Sequence, residues 1–318
     1  MVKKLSAVFV VLFLGVVVLF FVMKVPDTSP AEMVAKYGQG AIKIKDGLGG
    51  YLYYRDQGNK EGPVLLLLHG SNSSMQTWNG MIGVLSSSYR LISFDQYGHG
   101  ITGQHPHDDY SANAQIKAAT TVLDAVGVDR AIWVGNSMGG WLTWRAALAV
   151  PDRVSGIVLI DASGAQGGQK PELYLAAKLM KSSVGQQLVK YITPRSIVRS
   201  SIEDNYVDHS KITDQLIDQY WELLRLPGNR DAVAHRVNTS REPDVWNSVG
   251  DIKQPTLLIW GEQDVITPFS DTALFKEKIP HSKLVSYPNA AHLPMEELPI
   301  DVANDIDRWV QAGLGQSN

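Results

Sequence analysis

Apolar runs recur along this chain at Val64–Leu68, Tyr89–Phe94, Ala131–Val134, Val154–Ile160, Thr256–Trp260 and Lys283–Tyr287. Most show little of the polar alternation of a strand with one wet face, so they suit strands buried on both faces. Segments with helical apolar spacing lie between them, about Met75–Leu85, Ala112–Val126, Trp141–Leu148, Pro268–Lys278 and Leu298–Ala312. Alternating buried strands and helices predict an α/β fold, a mostly parallel sheet with helices on both faces. Sheets of this kind place their sites at the carboxyl ends of the strands. His69, Asp95, Ser137, Asp161, Asp264 and His292 all fall at or just beyond those ends. Ahead of the first buried run, Ala41–Tyr54 alternates around Asp46-Gly47 and Gly49-Gly50, which predicts a β-hairpin.

The sharpest local signal is Gly135-Asn136-Ser137-Met138-Gly139-Gly140, between the run Ala131–Val134 and a helical pattern. Where a strand turns abruptly into a helix, side chains two residues before and after the apex would collide with neighbouring backbone. Glycines stand at both places, and Ser137 is left strained with its hydroxyl above the sheet edge. Glycine and serine are common enough that this spacing arises by chance in roughly one chain in ten. The strand before it and the helix after it are what give it meaning. The Met138 N–H then lies at a helix N-terminus, where an oxyanion is stabilised.

A serine hydroxyl is a weak nucleophile until a base takes its proton, and an imidazole needs a carboxylate to fix its tautomer. The chain supplies Ser137, Asp264 and His292 in that order, nucleophile, acid, base. Asp161, one strand earlier, is an alternative acid. His69-Gly70-Ser71-Asn72 follows the first buried strand, where a second oxyanion donor belongs; Ser71 and Asn72 are both open candidates. His69 is expected to fix that loop, and Asp95 to brace the turn Gly98-His99-Gly100. The loop His105-Pro-His107-Asp108-Asp109 lacks helical spacing and a clear third ligand, so it reads as a solvated loop rather than a metal site. Thr267-Pro268 reads as a helix cap followed by a first-turn proline. No phosphate-cradling or dinucleotide fingerprint is present, and no cofactor is expected.

The chain has 318 residues, a net charge of −3 and no cysteine. Disulfides and thiol chemistry are excluded, and so weak a charge without basic runs gives no footprint for nucleic acid. At the N-terminus Lys3-Lys4 precedes Leu5–Met23, nineteen uncharged residues. As a helix this run spans about 28 Å, close to the ~30 Å of a bilayer core. It therefore predicts a membrane anchor over 1–24, with cleavage near Ser29-Pro30-Ala31 as the alternative, and an extracytoplasmic catalytic domain. Residues 25–40 read as a linker, 41–161 and 245–314 as the core. Residues 162–244, where the strand rhythm stops, read as a helical cap with segments near 171–181, 184–191 and 213–224.

Taken together, Leu-Leu-His69-Gly70-Ser-Asn, Asp95-x-x-Gly98-His99-Gly100, Gly135-Asn-Ser137-Met-Gly-Gly140, Gly261-Glu-x-Asp264 and His292-Leu-Pro-Met-Glu-Glu resemble the α/β-hydrolase superfamily over roughly residues 40–312. Within it the chain is most similar to bacterial serine esterases and lipases with an N-terminal membrane anchor. That resemblance implies a serine hydrolase acting on a small, lipophilic carboxylic ester, with no metal or organic cofactor. Carbon–carbon bond hydrolases share Gly-Asn-Ser-Met-Gly-Gly, and form the second reading. They usually carry Gly-Pro-Gly in the first loop and Trp after the histidine, where this chain has Ser71-Asn72-Ser73 and Leu293. A hydrolase-fold receptor or scaffold is the non-enzymatic alternative. Oligomeric state has no signature here.

Overall fold

The computed structural model describes residues 20–167, 182, 185, 190–238 and 244–314. Its strands are β1 (Ile42–Lys45), β2 (Tyr51–Gly58), β3 (Val64–Leu68), β4 (Arg90–Phe94), β5 (Ala131–Asn136), β6 (Val154–Ile160), β7 (Thr256–Gly261) and β8 (Lys283–Tyr287). They form one sheet in the order β1-β2-β4-β3-β5-β6-β7-β8. β1 and β2 form the antiparallel hairpin, β2 also pairs antiparallel with β4, and every later pairing is parallel. The order reverses at β3, which lies between β4 and β5. A crevice therefore opens between the loops that leave β3 and β5.

Both faces of the sheet are covered, which is why the strands lack polar alternation. Leu66, Leu68, Trp133, Leu159, Leu258 and Trp260 pack into one core with helices α3 (Ala112–Ala125) and α4 (Met138–Ala149). Their neighbours Leu65, Leu67, Ile132, Val134, Val158 and Ile259 pack into the opposite core with helices α2 (Asn79–Leu85) and α9 (Pro299–Leu314). Each such side chain contributes about 1.5–3 kcal/mol through burial, so the sheet is a stiff platform for the loops at its end.

The tightest packing is where β5 meets α4. A Cβ on Gly139 would lie 2.0 Å from the Leu68 carbonyl oxygen, and one on Gly135 would lie 2.2 Å from the Gly139 carbonyl oxygen. Both obstacles are backbone, one of β3 and one of the first turn of α4, and cannot rotate away. Gly139→Ala is therefore expected to destabilise the fold by about 3 kcal/mol, read as a lowered urea midpoint at unchanged m-value. A midpoint within error of wild type would refute this account of the turn.

Beyond β6 the described residues form α5 (Arg195–Glu203), α6 (Asp214–Leu224) and α7 (Asn229–Asn238). Thr213 opens α6 by accepting from the Leu216 N–H. The sequence pattern located α6 alone of these three, because α5 has few apolar positions and the apolar residues of α7 are only alanine and valine among Asn, Arg, Asp and His. The helix expected near 171–181 and most of that near 184–191 lie outside the described residues.

Residues 25–40 are more structured than a linker. Pro30–Tyr37 forms helix α1, with the Ser29 hydroxyl accepting from the Glu32 N–H and proline in the first turn. The arm is tied down at both ends: Arg230 donates to the Val25 carbonyl and to Asp27, while Arg55 and Gln76 both donate to the Tyr37 carbonyl. The Tyr37 hydroxyl donates to Glu222 on α6 at 2.8 Å.

Among the described residues no helix is long and apolar enough to cross a membrane. This corrects the expected anchor and the extracytoplasmic placement drawn from it. Of the run Leu5–Met23 only residues 20–23 are described, and they are helical.

Candidate active site

Ser137 has φ 53° and ψ −116°, a left-handed backbone that costs a non-glycine residue about 1–3 kcal/mol. The conformation is held from both sides. Its N–H donates to the Ile160 carbonyl at 3.0 Å, and its carbonyl accepts from Trp141 at 2.9 Å and Ser163 at 3.0 Å. Helix α4 begins at the next residue, so the first-turn N–H groups beside Ser137 have no partner within the helix. Asn136, fully buried, donates from Nδ2 to the His292 carbonyl at 3.0 Å, joining β5 to a loop 156 residues away.

That loop follows β8 and carries His292, whose Nδ1 lies 2.7 Å from Asp264 Oδ2. A carboxylate only accepts, so Nδ1 donates and Nε2 is left as the acceptor of the ring. Asp264, in the loop after β7, is anchored independently: Oδ1 accepts from the N–H groups of Ile266 (2.7 Å) and Thr267 (3.0 Å). Burial pulls the Asp264 carboxyl upward, but the His292 charge and the hydrogen bonds from His292, Thr267 and Ile266 outweigh it and hold the group below its ordinary value.

Thr267 does not cap a helix as its place before Pro268 predicts. Helix α8 (Asp271–Lys278) starts later, after Ser270. The Thr267 hydroxyl instead sits 2.5 Å from Asp264 Oδ2, 3.0 Å from the Asp161 carbonyl and 3.2 Å from His292 Nδ1. It fills the space around the Asp–His contact, so Thr267→Val is expected to lower kcat about tenfold with KM little changed. Steady-state hydrolysis kinetics would show it, and a change confined to KM would refute it.

The β3–α2 loop runs directly against the elbow. A Cβ on Gly70 would meet Asn136 Oδ1 at 2.8 Å and Ser137 Cβ at 3.2 Å. Ser71 donates from Oγ to Met138 Sδ at 3.3 Å, and Asn72 has φ 60°. Ser71, Asn72, Ser137 and His292 line one cavity of about 170 Å³. Ile197, Val198 and Ile202 of α5 and Leu224 of α6 give it apolar lining, beside the polar Thr193, Ser201, Asn205 and Tyr220.

The profile of the alpha/beta hydrolase family matches residues 65–306, about three quarters of the chain. The chain belongs to that family. The hydrolase is 26% identical over 271 residues to the protein named uncharacterized hydrolase YugF of Bacillus subtilis (strain 168), covering 82% of this chain and 94% of that one. It superimposes on a membrane phospholipase A described as a novel bacterial virulence factor with a TM-score of 0.75, at 22% identity over 98% of this chain and 99% of the other. A single-substitution mutant of the meta-cleavage product hydrolase CumD gives a TM-score of 0.72 at 23% identity, covering 85% and 98%. At these identities the two structures share the fold. Family and relatives together support hydrolase activity.

The other sequence candidates in this hydrolase brace the site's surroundings. His69 is buried: Nδ1 donates to the Gly70 carbonyl at 2.8 Å and Nε2 accepts from the Gln96 N–H at 3.2 Å. Asp95 accepts from the N–H groups of Met75 and Ile101, both at 2.7 Å, and burial pushes its carboxyl up to about 6. His105 accepts at Nδ1 from the N–H groups of His107 and Asp109, so its ring organises its own loop. Asp161, the alternative acid, accepts at Oδ1 from the Gly261 N–H at 3.0 Å, while the ring of His292 is directed to Asp264.

Two residues escaped the sequence reading. Glu296, partly buried, accepts from Thr77 near the first loop and from Tyr206 and Tyr220 beyond β6. Glu297 accepts from the N–H groups of Ala291, Val207 and Asp208. The pair Glu296-Glu297 four and five residues after His292 was the available signal: adjacent acids in a motif otherwise apolar require buried donors.

Proposed function

We propose that this hydrolase cleaves small, lipophilic carboxylic esters with Ser137 as nucleophile, His292 as general base and Asp264 as the carboxylate that orients the imidazole. The observation that carries the reading is the 2.7 Å contact between His292 Nδ1 and Asp264 Oδ2, with His292 and Ser137 on the wall of one cavity. Ser137 Oγ attacks the ester carbonyl as His292 Nε2 takes its proton. The oxyanion is held by the Met138 N–H at the start of α4 and by an N–H of Ser71 or Asn72; each such donor is worth about 10²–10³-fold in kcat. Collapse breaks the ester C–O bond and passes the proton from Nε2 to the leaving alcohol. Water, deprotonated by the same nitrogen, then releases the acid and restores Ser137.

In this reading residues 162–244 act as a cap over a core of 41–161 and 245–314, and the apolar side chains Ile197, Val198, Ile202 and Leu224 of α5 and α6 receive the acyl group. Carbon–carbon bond hydrolysis is the second reading, favoured by Gly-Asn-Ser-Met-Gly-Gly at 135–140. The test is steady-state hydrolysis of p-nitrophenyl esters of increasing acyl length. Ser137-dependent turnover well beyond one equivalent supports the ester reading. Folded protein inert on every ester but active on a vinylogous diketone would replace it with the second. Release of a single equivalent would favour a binding role.

A further inference from the structure

A third carboxyl group is buried against the Asp264–His292 pair, and the ester mechanism gives it no task. Asp161 exposes no surface to solvent and stands past the end of β6 with φ 43°. Nearly every polar atom of the residue is engaged. Its N–H donates to the Ile259 carbonyl, its carbonyl accepts from Thr267, and Oδ1 accepts from the Gly261 N–H. Oδ2 is the exception: it is buried and no donor reaches it. One side-chain polar atom from each of Asp161, Asp264 and His292 lie within 4.8 Å of one another.

Two ionised carboxylates cannot share so small a dry space, and one of them must hold a proton. Asp264 has donors on both oxygens, from Ile266, Thr267 and His292, so the negative charge belongs there. A bare Oδ2 suits a carboxylic O–H, which needs an acceptor rather than a donor. The charged and titratable groups acting on Asp161 are Asp264 in the loop after β7, Glu297 in the short helix Pro294–Glu297, and His292 between them in sequence space on the β8 loop. Burial and then the Asp264 charge push the Asp161 carboxyl well above its ordinary value against the opposing Gly261 N–H.

We propose that Asp161 stays protonated in the working enzyme and donates a hydrogen bond to the Asp264 carboxylate, so that His292 faces one negative charge rather than two. Asp161 is then a positioning residue, acting through Asp264 and never touching substrate. It also makes the two acids at the ends of β6 and β7 inequivalent: one carries the charge, the other the proton. The kinetic consequence rests on the Ser137–His292–Asp264 reading; the protonation state does not.

The test uses the full chain and two readouts. Infrared spectra in D₂O between about pH 5 and pH 9, taken as wild type minus Asp161→Asn, should show the C=O stretch of a protonated carboxyl. The subtraction removes contributions from other acids whose carboxyls are pushed upward, such as Asp95 and Glu296. In ester kinetics Asp161→Ala should lower kcat about tenfold or more with a smaller change in KM, and Asp161→Asn should recover most of that loss. The acidic limb of kcat/KM in Asp161→Asn should coincide with that of wild type. Absence of the band overturns the proposal. So does an acidic limb displaced about one pH unit downward in Asp161→Asn, the result expected if a charge beside the imidazole had been removed. Equal losses in Asp161→Asn and Asp161→Ala would overturn the positioning role. A wild-type protein without Ser137-dependent turnover would sink the ester reading, and the infrared band would still decide the state of Asp161.

Discussion

Ser137→Ala is expected to lower kcat on an activated ester by about 10⁶-fold while leaving KM within a few-fold of wild type. The size follows from the unit character of the site. On the proposed mechanism there is no covalent intermediate without Oγ, and neither the imidazole nor the oxyanion donors can act on an acyl-enzyme that never forms. KM is spared because the lost hydroxyl is a small part of the cavity wall, which also includes Ile197, Val198, Ile202 and Leu224. Alanine has no oxygen at Cβ, but it must still accept the backbone at φ 53°. Retained stability by urea titration, measured alongside kcat, separates lost chemistry from lost folding. A decrease of less than about 10²-fold would remove Ser137 from the role of nucleophile.

Asp264→Asn is expected to cost about 10⁴-fold in kcat, less than the serine but more than any other single change outside Ser137 and His292. The amide presents a donor where His292 Nδ1 needs an acceptor, so the ring is driven to the tautomer that cannot take the Ser137 proton. It also meets the N–H groups of Ile266 and Thr267, which require acceptors. The same residue sets a stability dependence on pH. Its carboxyl is held below the ordinary value in the folded protein, so its contribution is present above about pH 4, the unfolded value, and is lost as pH falls through the folded one. The stability gap between wild type and Asp264→Asn should therefore close in acid. A gap that stays constant from neutral pH down to about pH 2 would show that the carboxylate is not stabilised by its partners.

Much of the proposed site is legible because its signals are local. Ser137 is flagged by two glycines whose absence of a side chain is enforced by backbone 2.0–2.2 Å away. His292 and Asp264 follow strands whose apolar runs mark the sheet's carboxyl edge. Thr267 reads as a helix cap because the residues around it, Thr-Pro followed by a helical pattern, imitate a helix start. What draws its hydroxyl inward is a carboxylate and an imidazole that only folding brings near it. The arm 25–40 hides in the same way: its helix is short, and the contacts that secure it come from Arg55, Glu222 and Arg230.

The sequence by itself determined the sheet, the elbow and the chain order of serine, acid and histidine. Burial on both faces leaves a strand no polar alternation, and a sharp strand-to-helix turn admits only glycine at its tight positions. Tertiary structure alone decided which of two acids faces His292, that Asn136 clamps the histidine loop, and that Glu296 gathers Thr77, Tyr206 and Tyr220. Each of those contacts joins residues from separate loops, and the lateral order β3-β5-β6-β7-β8 sets which loops meet. Residue spacing along the chain carries no record of that order, because hydrogen bonding between neighbouring strands and the packing of both cores select it only when the whole sheet assembles.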